Sequence, residues 1–243
     1  MIRLHVNVDH VATVRQARRA TFPDPVEWAL RVERAGAHGI TCHLRKDRRH
    51  ISDDDVRRLR SKVRTLLNLE ASLDDEMIAL ALESGAEAIC LVPENRTEVT
   101  TEGGLDVRAE RRRIERVAPL FRQRGALVSL FVDPDVEQIA IAADTGVPFV
   151  ELHTGSYANA QGDTRKRELE RIARAAAFAR ERGLRVNAGH GLDYENVGAV
   201  ARIEGVEERN IGFAIVARAL FAGVDAAIRE MLDAIRPHAR TER

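Results

Sequence analysis

His43, Glu70, His153 and His190 are the residues of this chain best suited to moving protons, and each stands at the downstream end of a short apolar run. The first runs are His5-Val6-Asn7-Val8-Asp9-His10, Thr41-Cys42-His43-Leu44-Arg45, Leu67-Asn68-Leu69-Glu70 and Val150-Glu151-Leu152-His153-Thr154. Two glycine-bearing runs follow, Val186-Asn187-Ala188-Gly189-His190-Gly191 and Asn210-Ile211-Gly212. Histidine titrates near neutrality, and a carboxylate among apolar walls has its pKa raised towards working pH. One strand-end histidine is most simply structural. Four such groups from separate runs, with Glu151 beside His153, resist that explanation, because each desolvated polar group costs stability.

Anion binding is the second chemistry on offer. Asn187–Gly191 and Asn210–Phe213 bring glycines to two run ends, the second followed by a helical pattern. Glycine lets backbone N–H groups approach an anion, and a helix N-terminus adds a favourable dipole. Arg18, Arg45, Arg48 and His50 suggest a second anionic group, since clustered arginine suits bidentate phosphate recognition. The three lysines, Lys46, Lys62 and Lys166, are poorly placed for an enzyme Schiff base, so any carbonyl–amine chemistry needs an amine supplied by a substrate. Asp9, His43, His153 and His190 could form a divalent metal site. No His-x-His pair opens the first strand, and the expectation is a site without metal or organic cofactor.

The elements that must position these groups alternate. Strands are predicted near 3–8, 38–45, 65–70, 87–92, 127–132, 148–153, 184–189 and 208–213. Helices are predicted near 25–36, 53–61, 74–84, 108–123, 134–145, 165–182, 194–203 and 214–221, with a last one near 223–236. Asp24-Pro25, Ser52, Ser72 and Asp133-Pro134 read as helix starts, and Gly36, Gly85, Gly125, Gly146 and Gly183 as stops. Residues two apart in a strand share a face. Asn7 with Asp9, His43 with Arg45, Asn68 with Glu70 and Glu151 with His153 therefore point one way, and their apolar neighbours the other. Strict alternation forces a parallel sheet, and eight units favour closure. The expected fold is α/β, a single (β/α)8 TIM barrel over residues 1–243 with extra helices and its site at the C-terminal mouth. Three long loops, Val11–Phe22, Pro93–Asp106 and Gly155–Thr164, leave that mouth.

Composition excludes several classes. Lys+Arg and Asp+Glu number 38 each, so the formal charge is zero and no electrostatic footprint for nucleic acid or an anionic membrane is left over. Aromatic residues make up 4%, too few for a base-stacking platform. Cys42 and Cys90 match no zinc or redox spacing and read as buried thiols. With no leader-like or membrane-length apolar segment, a cytoplasmic protein is expected.

The segments NVDHVATVRQAR (7–18), DPVEWALRVERAGAHGITCHLRKDRRHI (24–51), NLE (68–70), VPENRTEVTTEGGLD (92–106), VSLFVD (128–133), ELHTG (151–155), VNAGHGL (186–192) and NIGFAIVARAL (from Asn210) closely resemble the pyridoxine 5′-phosphate synthase family. The resemblance spans nearly the whole chain. It implies a cofactor-free (β/α)8 enzyme that condenses 1-deoxy-D-xylulose 5-phosphate with 3-amino-2-oxopropyl phosphate, the substrate supplying the amine. By motif it implies His43 and Glu70 as proton acceptors and His190 as proton donor. Asp9, His10, Arg45, His50 and Thr100 would hold the deoxyxylulose phosphate, and Asn7, Arg18, Gly191, Gly212 and Phe213 the amino-ketone phosphate, with Glu151 also at the substrates. A homo-octamer is implied as well. Many members read Asn-Ile-Gly-His where this chain has Phe213, which is tolerable if backbone N–H groups hold the phosphate. Lys46 stands where a Glu is common. The runner-up is a metal-dependent sugar-phosphate epimerase or aldolase on the same barrel.

Overall fold

Eight short apolar runs, most of them interleaved with polar residues, form the frame of the molecule. The computed structural model describes residues 2–94 and 103–236. In chain order the first half comprises β1 (Arg3–Asn7), α1 (Asp9–Gln16), α2 (Pro25–Arg34), β2 (Gly39–His43), α3 (Asp53–Lys62), β3 (Leu66–Ala71), α4 (Asp75–Ser84), β4 (Ala88–Leu91) and α5 (Val107–Gln123). The second half comprises β5 (Leu127–Val132), α6 (Val136–Asp144), β6 (Phe149–His153), α7 (Gly155–Asn159), α8 (Gly162–Glu181), β7 (Arg185–Gly189), α9 (Val197–Ala201), β8 (Val206–Ile211), α10 (Phe213–Ala222) and α11 (Val224–Ile235). The strands pair in sequence order into a closed parallel barrel, β8 returning to β1 with Leu4 opposite Arg209 and Val6 opposite Ile211. The expected (β/α)8 barrel with extra helices is what forms.

Local chemistry explains most boundaries. Asp24 caps α2 by accepting from Val26 N–H, with Pro25 in the first turn. Ser52 and Asp55 make a reciprocal capping box on α3, and Gly85 ends α4 in the left-handed region at φ 67°. Two expected starts move. Asp74, not Ser72, caps α4, and Asp135, not Asp133, caps α6 by accepting from Glu137 and Gln138 N–H. The segments read as the long loops Val11–Phe22 and Gly155–Thr164 instead begin with α1 and α7, and the second continues into α8. In α1, burial of Val11 and Ala12 against the core overrides the weak helix propensity of its β-branched residues. The expected helix 194–203 shortens to α9, because Asn196 and Asp193 hold the preceding residues in a hydrogen-bonded turn.

The two faces of each strand differ. Outward-pointing Leu4, Val6, Ile40, Cys42, Leu67, Leu69, Ile89, Leu91, Val150, Leu152, Val186 and Ala188 are buried against the helices. Inward-pointing residues are largely polar, and several are buried: His5, Thr41, Asn68, Ser129, Glu151, Asn187, Glu208 and Asn210. They bond to one another across the lumen. Asn68 Nδ2 donates to Thr41 Oγ1 (3.4 Å), Thr41 Oγ1 to Asn210 Oδ1 (3.0 Å), and Asn210 Nδ2 to Glu151 Oε2 (2.6 Å). At the far end His5 Nε2 lies 3.1 Å from Glu208 Oε2, and a Cβ at Gly39 would collide with the His5 ring.

Candidate active site

The mouth is assembled from the last residues of the strands and the first residues after them. Asn7 ends β1, and Asp9, the first residue of α1, turns back over it. Asp9 Oδ2 accepts from Asn7 Nδ2 (2.9 Å), and Asp9 N–H donates to Asn7 Oδ1 (2.8 Å). Asp9 Oδ1 accepts the His43 backbone N–H (2.8 Å), which ties β1 to β2. These bonds place Asp9, His43 and Glu70 so that one ligand-type atom from each lies within 4.8 Å of the others. That grouping joins three elements and was not legible as a concentrated set in the sequence.

Burial sets the protonation of His43 and Glu70. His43 is 5% exposed, and desolvation, reinforced by neighbouring His50 and Arg45, pulls its pKa down to about 3. Its Nδ1 lies 3.9 Å from Glu70 Oε2, beyond hydrogen-bond reach, and its buried Nε2 has no partner among the described residues. Burial also raises Glu70 well above the usual carboxylate range, helped by the nearby charges of Glu151 and Asp9. One layer below the mouth, Glu151 is raised to about 8, chiefly by burial and then by Glu208. Its Oε2 sits 3.8 Å from Cys90 Sγ, so this thiol, read from sequence simply as buried, points into the barrel lumen. A Cβ at Gly189 would collide with Glu151 Oε1, so this glycine is what leaves room for the carboxyl.

Across the mouth, His190 follows β7 with φ 80°, a region that side-chain-bearing residues rarely adopt. Thr154 Oγ1 donates to the carbonyls of Gly189 (2.7 Å) and His190 (2.5 Å), holding that turn. Desolvation, with His153 and His10 nearby, lowers His190 to about 4. The His153 ring packs edge-on to it, centroids 5.0 Å apart, and His153 Nδ1 lies 2.9 Å from Asp133 Oδ1. Sequence reading missed Asp133, because Asp-Pro is also a helix-start signal.

The anion-binding candidates separate. Gly191 (φ 75°) and Gly212 stand on adjacent strand ends, and Gly212 precedes α10, whose N-terminus no side chain caps. A Cβ at Gly212 would press on Asn7. Phe213 is exposed, with its ring 5.4 Å from the half-buried His10 ring. Arg45, just past β2, is buried at the mouth, and the His50 ring lies 6.1 Å from that of His43. Arg18 is exposed beyond α1. Arg48 does not join them, being engaged by Asp53 (2.8 Å) and Glu76 (2.9 Å). Thr100 lies outside the described residues. The lysines stay away: Lys46 pairs with Asp74 (2.6 Å), Lys166 with Asp163 (3.1 Å), and Lys62 ends α3.

Among solved structures this barrel is similar to phosphoribosylanthranilate isomerase from Thermotoga maritima, with TM-score 0.61 and 15% identity over 97% of this chain and 98% of that one. It is likewise similar to 3-keto-L-gulonate-6-phosphate decarboxylase from Vibrio cholerae, with TM-score 0.63 and 15% identity over 97% and 99%. At that identity the likeness concerns the fold alone. Sequence relatives are far nearer. A pyridoxine 5′-phosphate synthase of Synechococcus sp. is 55% identical over 97% of this chain and 99% of its own. One of Thermosynechococcus vestitus is 53% identical over 98% and 100%, and one of Chlorobium chlorochromatii 52% identical over 97% and 100%. The sequence model of the family described as pyridoxal phosphate biosynthesis protein PdxJ matches residues 4–237. Matches of this length and identity make the chain a member of that PdxJ family.

Proposed function

We propose that this chain is a pyridoxine 5′-phosphate synthase, one catalytic barrel that condenses 1-deoxy-D-xylulose 5-phosphate with 3-amino-2-oxopropyl phosphate to pyridoxine 5′-phosphate, inorganic phosphate and water. Family membership supports the activity. The geometry that carries the chemistry is the approach of Asp9, His43 and Glu70 on one side of the mouth, facing His190 on the other.

The amine of the amino-ketone attacks the ketone of the sugar phosphate, consistent with a mouth that no lysine reaches. Burial favours the protonated form of Glu70 at the start of this cycle. Glu70 gives its proton to the carbinolamine hydroxyl, which leaves as water, and the resulting carboxylate then accepts a proton from the adjacent carbon. His43, neutral on arrival, serves as the second acceptor. His190 is unprotonated in the empty site, and the negative charge of two bound phosphates favours its cationic form, equipping it to protonate a leaving oxygen. Asp9, His10, Arg45, His50 and Thr100 hold the sugar phosphate; Asn7, Arg18, Gly191, Gly212 and Phe213 hold the amino-ketone phosphate, the latter over the open end of α10. Glu151 offers a protonated carboxyl from beneath. Exposed Val14, Phe22, Leu220 and Phe221 support self-association, with an octamer as the proposed state. A cytoplasmic location is proposed with it; no described helix is long and apolar enough to cross a membrane.

The Asp9–His43–Glu70 group gives the metal-dependent sugar-phosphate reading its one favourable observation. Against it, each Asp9 oxygen already accepts a hydrogen bond from the protein. Incubating EDTA-treated protein with both substrates separates the readings. Pyridoxine 5′-phosphate with one phosphate released per ring supports the synthase. No product, with a divalent ion restoring turnover of a sugar phosphate, supports the other.

A further inference from the structure

The His153 side chain lies at the mouth, is one of its most buried groups, and has no role in the reaction as described. We propose that Asp133 and His153 form a positioning pair behind His190, orienting its imidazole and balancing its charge when it is protonated; this rests on His190 being the proton donor.

The geometry starts at the end of β5. Because Asp135 caps α6, Asp133 is released from that duty, and its Oδ1 lies 2.9 Å from His153 Nδ1. That hydrogen bond is the main cause holding the Asp133 carboxyl below its usual range, and the backbone N–H of Gly104 adds to it. An ionised carboxylate only accepts, so His153 Nδ1 carries the hydrogen, and in the neutral ring Nε2 presents a lone pair. The His153 side chain is 5% exposed, and Nε2 has no partner among the described residues. An unsatisfied buried acceptor is costly, so a donor is expected to arrive.

The neighbouring ring is that of His190, edge-on at 63°. Gly155 keeps this meeting point open: a Cβ there would collide with His153 Nε2 and lie 3.3 Å from His190 Cδ2. Phe131 flanks both rings, at 5.3 Å from His153 and 6.4 Å from His190. The His190 backbone sits at positive φ, with its carbonyl held by the Thr154 hydroxyl, and this places the ring beside His153. The other charged or titratable described groups bearing on this set are His10 on α1, beside His190, and, near Asp133, Arg171 on α8, whose Nε donates to Pro134 O (3.1 Å).

When His190 is protonated, one of its N–H groups donates to His153 Nε2, and the Asp133 carboxylate offsets the added charge through the intervening ring. His190 then gives the proton on its other nitrogen to the substrate oxygen and becomes neutral. No proton leaves Asp133 or His153, so the pair positions and stabilises without being consumed.

Product formation is measured from pH 6 to 9 with wild type, Asp133→Asn, Asp133→Glu and His153→Asn. Removing the negative charge destabilises the imidazolium and lowers its pKa, so activity is lost at lower pH. The alkaline limb of kcat is expected to move about one pH unit towards acid. At neutral pH kcat falls about 10- to 100-fold, part of the roughly 10²- to 10⁴-fold owed to a general acid. KM values stay within about threefold, and Asp133→Glu restores much of the loss. An unmoved limb, whether kcat is intact or uniformly reduced at every pH, overturns the proposal. Nitrogen-15 NMR of wild type gives a test that needs no folded variant: the Nδ1–H tautomer of His153 is required, and the Nε2–H tautomer refutes it. Failure of wild type to form product defeats the synthase reading instead, and the tautomer measurement still decides this one.

Discussion

Between the strands and the helices, Leu4, Val6, Ile40, Leu69, Leu91, Val150 and Leu152 pack with almost nothing polar among them. One exception is Arg209, fully buried, whose guanidinium donates to Val206 O (2.6 Å) and Val200 O (2.9 Å) and whose pKa burial lowers to about 10. Inside the barrel the same strands present His5, Asn68, Glu70, Glu151, Asn187, Glu208 and Asn210, where barrels of this kind usually carry branched apolar layers. Side by side, the two faces divide the work. The outer face supplies the apolar burial that holds the barrel closed, and the inner face uses some of that stability to keep titratable groups dehydrated. Dehydration is what shifts them: Glu151 to about 8, Glu208 to about 7, His43 and His5 to about 3, His190 to about 4.

Substitutions on opposite faces should therefore fail in opposite ways. His190→Asn is expected to cost about 10²- to 10⁴-fold in kcat with stability nearly unchanged, and mass spectrometry should reveal an accumulating intermediate. Leu69→Ala, on the outward face of β3, should lose about 2–5 kcal/mol of stability in denaturant titrations while the folded fraction keeps its kcat. A loss of chemistry there, or of stability at His190, would erase the division.

Glu151→Gln probes the cost of the inner face directly. The folded pKa of Glu151 is raised, so the native state holds the proton more tightly than the unfolded chain does. Its contribution is fully present below the ordinary carboxylate pKa and is lost as pH rises towards about 8. Glutamine keeps an acceptor for Asn210 and has no proton to lose. Relative to wild type, the variant's Tm should rise progressively between pH 5 and pH 8; a constant difference would mean that Glu151 is not held protonated. Smallest of all should be Phe213→His. If the backbone at the start of α10 holds the phosphate, KM for the amino-ketone substrate changes by no more than about threefold. A larger gain in affinity would show that the imidazole contributes.

What the sequence made legible is what depends on period two and on local caps. Cys42 against His43 and Leu69 against Glu70 declare opposite faces, and Gly85 or Ser52 declares a helix end. Contacts made by closure were hidden. Thr41 meets Asn210 across 169 residues, and Glu208 meets His5, because β8 returns to β1. Asp9 escaped as the link between strands because it lies in α1, where the alternation that placed it beside Asn7 no longer applies. Asp133 was ambiguous in a different way. Asp-Pro fits a helix start, and only the cap made by Asp135 shows that the carboxylate turns to His153 instead.

The most direct test of the account is turnover by Glu70→Gln, supplied with both substrates in the presence of EDTA and followed by phosphate release and pyridoxine 5′-phosphate formation. The division between the faces predicts a folded protein, with a Tm at or above that of wild type because glutamine has no buried charge to form, that binds both phosphates and loses about 10²- to 10⁴-fold in kcat. Wild-type turnover by that variant would remove Glu70 from the proton transfers and contradict the reading of the inner face as the site of the chemistry.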